Sequence, residues 1–213
     1  MVAHSTVYLR LMLHILKLLV NVLFPEAAPV EKIKDCTPGT FVQYYVPGTY
    51  YDTVTLSSYS NLYVQAAIIS NKFHHSDHAA KLLASLLSHW LTSLPHANYV
   101  LVPIPLSAAR LRERGYNQVT NIIKQSTIPS QIKVSDKILT RKRHTKAQSH
   151  LERTERLVNL HDAFTASTDP TLKDTQFILL DDVVTTGATL TAARTALQAQ
   201  FPNNHIICVA LAH

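Results

Sequence analysis

Two adjacent carboxylates followed by a hydroxyl-rich turn are the most chemically specific feature of this 213-residue chain. Asp181 and Asp182 come directly after an apolar run, residues 177–180. Carboxylates accept hydrogen bonds, so they suit a pair of vicinal sugar hydroxyls and can help to hold a divalent cation. Residues 185–189 open a predicted helix, where backbone N–H groups and hydroxyls bind phosphate well. A diol contact beside a monophosphate contact matches a ribose 5-phosphate.

The same segment has two alternative interpretations. Asp181 and Asp182 could be solvated loop residues and the threonines helix caps, which is the better explanation of an isolated Asp-Asp or Thr-Gly pair. The complete string after an apolar strand favours the phosphate site, and Gly187 lets the backbone approach an anion closely. A phosphate loop of the Gly-Lys-Ser/Thr type is excluded, because none of the four glycines precedes a lysine.

A basic block is the second candidate for function. Residues 110–156 hold twelve Lys/Arg and four acids, a net charge of +8, whereas the whole chain carries +6. Such a block suits a polyanion, either the phosphates of a small ligand or a nucleic-acid backbone, although a merely solvated face is the alternative. The candidate nucleic-acid contacts are Arg110, Arg112, Arg114, Arg141 and Lys142.

Metal-ligating residues give a weaker signal. A metal site could be formed by His74, His75, Asp77 and His78. A solvated helix N-terminus explains these residues better in a chain with twelve histidines. With only two cysteines, a four-cysteine zinc site is impossible, so we expect no zinc. The same count makes a disulfide scaffold improbable and favours a reducing, cytoplasmic compartment.

The elements that must position these residues alternate between strands and helices. Apolar runs predict buried strands, and capping residues with apolar stripes predict helices. The predicted strands cover residues 99–102, 177–180 and 205–212, and the predicted helices cover residues 60–69, 77–94, 107–124 and 188–200, with weak strands and a long mobile loop over 126–150. This order predicts a doubly wound, mainly parallel sheet that binds ligands at the carboxyl ends of its strands.

The first residues need a separate interpretation. Residues 7–24 are nearly all apolar, but Arg10, His14, Lys17 and Asn21 fall on one side of a helix. Two cations within the run argue against a membrane span, so we expect this helix to pack on the domain or on a partner subunit. Association with a membrane surface is the minority interpretation. We divide the chain into an amino-terminal helix with an irregular segment, 1–58, and the main domain, 59–213.

Residues 177–190, Phe-Ile-Leu-Leu-Asp-Asp-Val-Val-Thr-Thr-Gly-Ala-Thr-Leu, resemble the motif with which type I phosphoribosyltransferases bind phosphoribosyl pyrophosphate (PRPP). The resemblance implies that the two aspartates contact the ribose hydroxyls and that residues 185–189 cradle the 5-phosphate. It also implies Mg²⁺ bound together with PRPP, held in part by Asp181 and Asp182. The implied PRPP-binding residues are Asp181, Asp182, Val183, Val184, Thr185, Thr186, Gly187, Ala188 and Thr189.

Two further stretches resemble one branch of that class, the competence-protein-F (ComF) family. They are residues 102–118, which include Val-Pro-Ile-Pro-Leu and Arg-Gly-Tyr-Asn-Gln, and residues 139–164. Weaker likenesses lie at residues 22–25 and at Lys72-Phe73. The resemblance implies a pyrophosphate loop and a mobile basic loop that closes over the ligand. The implied pyrophosphate-binding residues are Lys72, Pro103, Ile104, Pro105, Arg143 and Lys146.

The chain departs from the family where members commonly carry a four-cysteine zinc module. Here residues 26–30 read Glu-Ala-Ala-Pro-Val and only Cys36 is near, so the module is absent or degenerate. The family implies a role in natural competence and DNA uptake. Three hypotheses remain open: a phosphoribosyltransferase with an unknown acceptor, an accessory module that binds single-stranded DNA or competence proteins, and a structural subunit, including a homo-oligomer.

Overall fold

The computed structural model describes residues 28–142, 163–172 and 174–213. The predicted amino-terminal helix and the candidate residues Arg143 and Lys146 lie outside these residues. The strands are β1 Gly48–Tyr50, β2 Thr53–Ser57, β3 Tyr99–Pro103, β4 Ile132–Val134, β5 Leu139–Arg141, β6 Phe164–Ala166, β7 Gln176–Val183 and β8 Ile206–Ala212. The helices are α1 Ala28–Ile33, α2 Pro38–Phe41, α3 Leu62–Phe73, α4 Asp77–Thr92, α5 Ala108–Arg114, α6 Gln118–Gln125 and α7 Ala188–Gln200, with 3-10 turns at Val42–Tyr44 and Pro170–Leu172.

Six strands form one sheet in the order β1-β2-β8-β7-β3-β4, and β5 pairs with β6 in a small separate ribbon. Every neighbouring pair in the large sheet is parallel except β1 with β2. Parallel strands need helical crossovers, and these cover the sheet with helices. The predicted mainly parallel α/β fold is confirmed.

The central strand β7 shows why the sheet is buried on both faces. Phe177 and Leu179 belong to the apolar cluster that includes α7, whereas Ile178 and Leu180 belong to the cluster on the opposite face, which includes α3, α4 and α6. All four side chains are fully buried. Successive side chains of a strand point to opposite faces, so a continuous apolar run is what a two-sided core requires.

The strongest helix prediction is also correct. In α4, Ser76 is the N-cap, and its hydroxyl accepts a hydrogen bond from the N–H of Ala79 at 3.1 Å. Its leucine stripe (Leu82, Leu83, Leu86, Leu87 and Leu91) and Trp90 are buried in the core. Burial of such side chains contributes about 1.5–3 kcal/mol each before entropy is subtracted.

The predicted single helix over 107–124 is wrong, because the structure has two helices there. Gly115 adopts a left-handed conformation, with φ of 74°, and ends α5. Asn117 then caps α6, since its side-chain oxygen accepts a hydrogen bond from the N–H of Val119 at 2.9 Å. A left-handed glycine and a new N-cap within three residues turn the chain by a sharp corner.

Strand β7 is four residues longer than predicted, with three of the additional residues at its carboxyl end. Asp181 pairs with Ala210 and Val183 with Ala212 of β8, so both aspartates belong to the strand and the turn starts after them. Their backbone is therefore fixed by the sheet rather than by a loop.

A hairpin from residues 48–57, within the segment assigned to the amino-terminal part, contributes β1 and β2 to the main sheet. Its two central turn residues, Tyr51 and Asp52, have φ of 46° and 56°. Positive φ at both positions is typical of a type I′ hairpin turn. Across the described ranges, none of the helices combines the length and the hydropathy that crossing a bilayer demands.

Candidate functional site

A cleft of about 670 Å³ lies over the carboxyl ends of β3, β7 and β8. This is the edge at which the sequence predicts ligand binding. The cleft is lined by Tyr50, Tyr59, Lys72, Ile104, Pro105, Leu106, Arg110, Arg114, Gln118, Arg141, Asp181, Asp182, Val183, Val184, Thr185, Thr189 and His213. The structure thus brings together the two aspartates, two of the five residues of the hydroxyl-rich turn, the loop after β3 and three of the predicted arginines.

The two aspartates occupy different environments within the cleft. The Asp182 side chain is only 6% exposed, and its Oδ2 atom lies 3.0 Å from the ammonium nitrogen of Lys72. That pairing is a contact of charges rather than a directed hydrogen bond, since Oδ2 has no hydrogen-bond donor. Asp181 is partly exposed, and its Oδ1 accepts the N–H of Asp182 at 2.9 Å. Burial, followed by the neighbouring Asp182 carboxylate, raises the pKa of Asp181 to about 7.

The turn after β7 forms a small niche of about 30 Å³ around Asp181 and residues 183–190. Gly187, with φ of 73°, starts α7 and has no side chain that could cap the helix. The Ala188 N–H lies 3.4 Å from the Thr186 hydroxyl, at the long end for a hydrogen bond. The first residues of the 13-residue helix α7 line this niche, and the backbone N–H groups of a helix N-terminus are suited to a phosphate group.

The loop after β3 only partly follows the prediction. Ile104 and Pro105 line the cleft, but Pro103 is the buried last residue of the strand. The N–H of Ile104 donates to the Leu180 carbonyl at 2.9 Å, so it is not available to a ligand. The Ile104 carbonyl in turn accepts from the Asn117 side chain at 2.9 Å. This loop is therefore fixed to β7 and to the start of α6.

The predicted nucleic-acid contacts separate into two groups. Arg110 and Arg114 share a helix face and line the cleft together with Arg141, whereas Arg112 and Lys142 do not line it. Among the residues that the structure describes, the buried Nε of Arg141 has no hydrogen-bond partner, and its guanidinium lies 5.1 Å from the Phe164 ring centroid. Burial, and then the charge of Arg110, lowers the pKa of Arg141. An unsatisfied cation in a cleft favours an anionic ligand.

Sequence reasoning missed the aromatic side of the cleft. Tyr50 stacks on His213 with ring centroids 4.8 Å apart, and the Tyr59 N–H donates to the His213 carbonyl at 2.8 Å. These residues come from β1, from the turn after β2 and from the residue after β8. No local pattern marks them, because only the sheet order brings them together.

The histidine-rich segment lies between two helices: His74 is the C-cap of α3, and α4 begins at Asp77. Ser76 caps α4 and Asp77 is its first residue, while the His78 ring hydrogen-bonds with the Ile33 carbonyl at 2.9 Å. Within the part of the chain that the structure describes, no group of three or more His, Cys, Asp or Glu could hold a metal ion. Cys36 and Cys208 are both free thiols.

The six-stranded, mostly parallel sheet with flanking helices is consistent with the fold of the type I phosphoribosyltransferases. Three curated proteins are similar to this chain. They are the competence protein ComFC of Bacillus subtilis (39% identical over 105 residues, 49% of this chain), competence protein F of Haemophilus influenzae (35% over 98 residues, 46% of this chain) and ComFC of Streptococcus pneumoniae (34% over 118 residues, 55% of this chain). These similarities support membership of the ComF family.

The similar regions cover 40%, 42% and 49% of those three relatives, so the chain matches somewhat less than half of their length. No protein-family model matches the chain.

Proposed function

We propose that the cleft binds PRPP or a closely related ribose 5-phosphate. One observation carries the proposal: the aspartate pair and the niche of residues 183–190 adjoin each other in a cleft that is also lined by cations. Asp181 and Asp182 would accept hydrogen bonds from the ribose hydroxyls, and the start of α7 would take the 5-phosphate.

The charge of the cleft supports a ligand with more than one phosphate. Its lining includes four cations, Lys72, Arg110, Arg114 and Arg141, and two carboxylates. The surplus of positive charge suits the pyrophosphate group, and the volume of the cleft is in the usual range for small-ligand sites.

Mg²⁺ fits this site only as part of the ligand complex. Two carboxylates are too few for a protein-only magnesium site, but they suit an ion whose other ligands are phosphate oxygens and water. When bound, the ion would neutralise charge on the pyrophosphate. Asp181 and Asp182 are the residues that would hold it or its water shell.

Phosphoribosyl transfer is the reaction that such a site would serve. The bond between the anomeric carbon and the pyrophosphate oxygen breaks with its electron pair leaving on the pyrophosphate, and an acceptor atom bonds to that carbon. The chain would contribute positioning and charge stabilisation by Lys72 and Arg141 rather than a covalent nucleophile. The names of the similar proteins favour a role in natural competence.

Calorimetric titration of PRPP with Mg²⁺ tests the ligand. We expect the wild type to bind and the isosteric variant Asp181→Asn with Asp182→Asn to lose at least about tenfold in affinity, since charge-assisted hydrogen bonds are lost. Asp136→Asn is the matched control, because Asp136 is exposed and does not line the cleft. A folded wild type that does not bind PRPP would overturn the proposal. Salt-dependent binding of single-stranded DNA would then be the next measurement.

A transferase activity has its own test. Pyrophosphate release from PRPP would be followed with a panel of nucleobases and amines as acceptors. Release that needs one acceptor and disappears in the double aspartate variant supports catalysis. PRPP binding without release across the panel argues for a binding module.

A further inference from the structure

The last turn of α3 is held by a network of hydrogen bonds from the α5–α6 corner. Asn71 is 1% exposed, and its side-chain amide donates to the Gln118 carbonyl at 3.1 Å. Its side-chain oxygen accepts from Asn121 at 3.3 Å, and its main-chain carbonyl accepts the hydroxyl of Tyr116. Residues 116–121 thus hold the side-chain amide, the side-chain oxygen and the main-chain carbonyl of Asn71.

The residues on either side of Asn71 show what this arrangement holds in place. Lys72 is the next residue, and its ammonium group reaches Asp182 in the cleft. Phe73 follows, with the Arg114 guanidinium 5.1 Å from its ring centroid, and Arg114 also donates to the Gln118 side chain at 3.1 Å. Residues 114–118, Arg-Gly-Tyr-Asn-Gln, thus contact both sequence neighbours of Lys72. Asn117, in the same string, also holds the loop after β3.

We propose that Asn71 and Tyr116 are positioning residues that deliver Lys72 to the pyrophosphate end of the cleft. A lysine side chain has about 2 kcal/mol of rotamer entropy. Its ammonium group is held at one place in the cleft only if the backbone that carries it is fixed as well. Two hydrogen bonds of the buried Asn71 side chain and one from a tyrosine hydroxyl hold this end of the helix in place. The part of the proposal that concerns pyrophosphate rests on the proposed function, whereas the geometry of Lys72 does not.

A ligand-independent experiment tests the geometry. Acetic anhydride labelling, followed by mass spectrometry, compares Lys72 with the exposed Lys81 and Lys124 in the same sample. We expect Tyr116→Phe, and separately Asn121→Ala, to increase labelling of Lys72 about fivefold relative to the other two lysines, in line with the loss of one hydrogen bond. Tyr63→Phe, at the opposite end of α3, is the control and should change nothing. Unchanged labelling of Lys72 in both folded variants would overturn the proposal.

A binding experiment then tests whether Tyr116 supports pyrophosphate binding through Lys72. Magnesium pyrophosphate and ribose 5-phosphate are titrated separately into wild type, Tyr116→Phe, Lys72→Met and the double variant. Tyr116→Phe should weaken pyrophosphate binding about fivefold, leave ribose 5-phosphate binding within about twofold, and have no further effect when Lys72 is already methionine. Additive losses, or equal losses for both probes, would contradict a role through Lys72. A wild type that binds neither probe would contradict the proposed function, and the labelling result would then decide the geometry alone.

Discussion

The ammonium nitrogen of Lys72 lies 3.0 Å from Oδ2 of Asp182, which joins the end of α3 to the carboxyl end of β7. The lysine side chain is 21% exposed and the aspartate side chain 6%. A carboxylate this deeply buried needs a compensating charge, and Lys72 supplies it.

We predict that Lys72→Met lowers the free energy of unfolding at neutral pH by about 1–3 kcal/mol, because it leaves a buried carboxylate without its counter-charge. The partial exposure of Lys72 keeps this loss below that of a fully buried pair. Urea denaturation measures it. Adding Asp182→Asn to Lys72→Met should recover part of the loss. Lys81→Met, at an exposed position of α4, is the control. Equal losses in the Lys72 and Lys81 variants would refute the structural role of the ion pair.

Asp181 should make the stability of the protein depend on pH. Its pKa is raised to about 7 by burial and by the Asp182 charge, whereas in the unfolded chain it lies near 3.9. Between these values the folded state holds a proton that the unfolded state has released, so folding becomes less favourable as the pH rises from about 4 to about 7.

Asp181→Asn removes this dependence. The variant should gain stability over the wild type as the pH rises, by an amount on the order of 2 kcal/mol between pH 5 and pH 8. Urea denaturation at both pH values measures the difference, and Asp136→Asn, at an exposed site, should show none of it. A variant whose advantage does not grow with pH would disprove the raised pKa.

Two glycines with nearly equal φ allow a matched comparison. Gly115 and Gly187 have φ of 74° and 73°, but a Cβ on Gly115 would meet nothing within 4 Å, whereas a Cβ on Gly187 would lie 3.3 Å from the Cβ of Tyr51. Alanine at either position should cost about 1–2 kcal/mol through the left-handed backbone. Only Gly187→Ala should also displace the turn beside the niche and weaken ribose 5-phosphate binding about tenfold or more. Equal binding by the two variants would show that the turn does not hold the phosphate.

The hairpin turn at Tyr51 and Asp52 offers a stabilising change. Both residues have positive φ, which Asn-Gly tolerates better than Tyr-Asp, and Tyr51 is 67% exposed, so its removal loses little apolar burial. The Asp52 carbonyl, which accepts from Arg194 at 3.0 Å, remains in the variant. Tyr51→Asn with Asp52→Gly should therefore raise the melting temperature and increase the free energy of unfolding by about 1 kcal/mol, because relief of the left-handed backbone outweighs the unfolded-chain entropy that glycine adds. Tyr51→Val should lower it, because a β-branched residue resists positive φ.

The contiguous features were predictable because their physical causes are local. The apolar run of β7, the aspartate pair and the helix start at Gly187 lie within fourteen residues, residues 177–190, and the leucine stripe of α4 within one helix. Hydrogen-bonded turns, caps and apolar periodicity depend on near neighbours, so the order of residues is enough to indicate them. The mainly parallel sheet followed from the same alternation of strands and helices.

Tertiary structure decided which residues meet. The corner at Gly115 was not predictable from a stretch that also fits one helix, and the strand pairing of Asp181 with Ala210 depends on β8, which lies beyond α7 in the chain. Lys72 reaches Asp182, and Tyr50 reaches His213, only because the fold brings together segments that are distant in sequence. The sequence by itself thus determined the aspartate pair with its hydroxyl-rich turn and the class of fold. The other residues of the cleft come together through long-range packing, which no local pattern encodes.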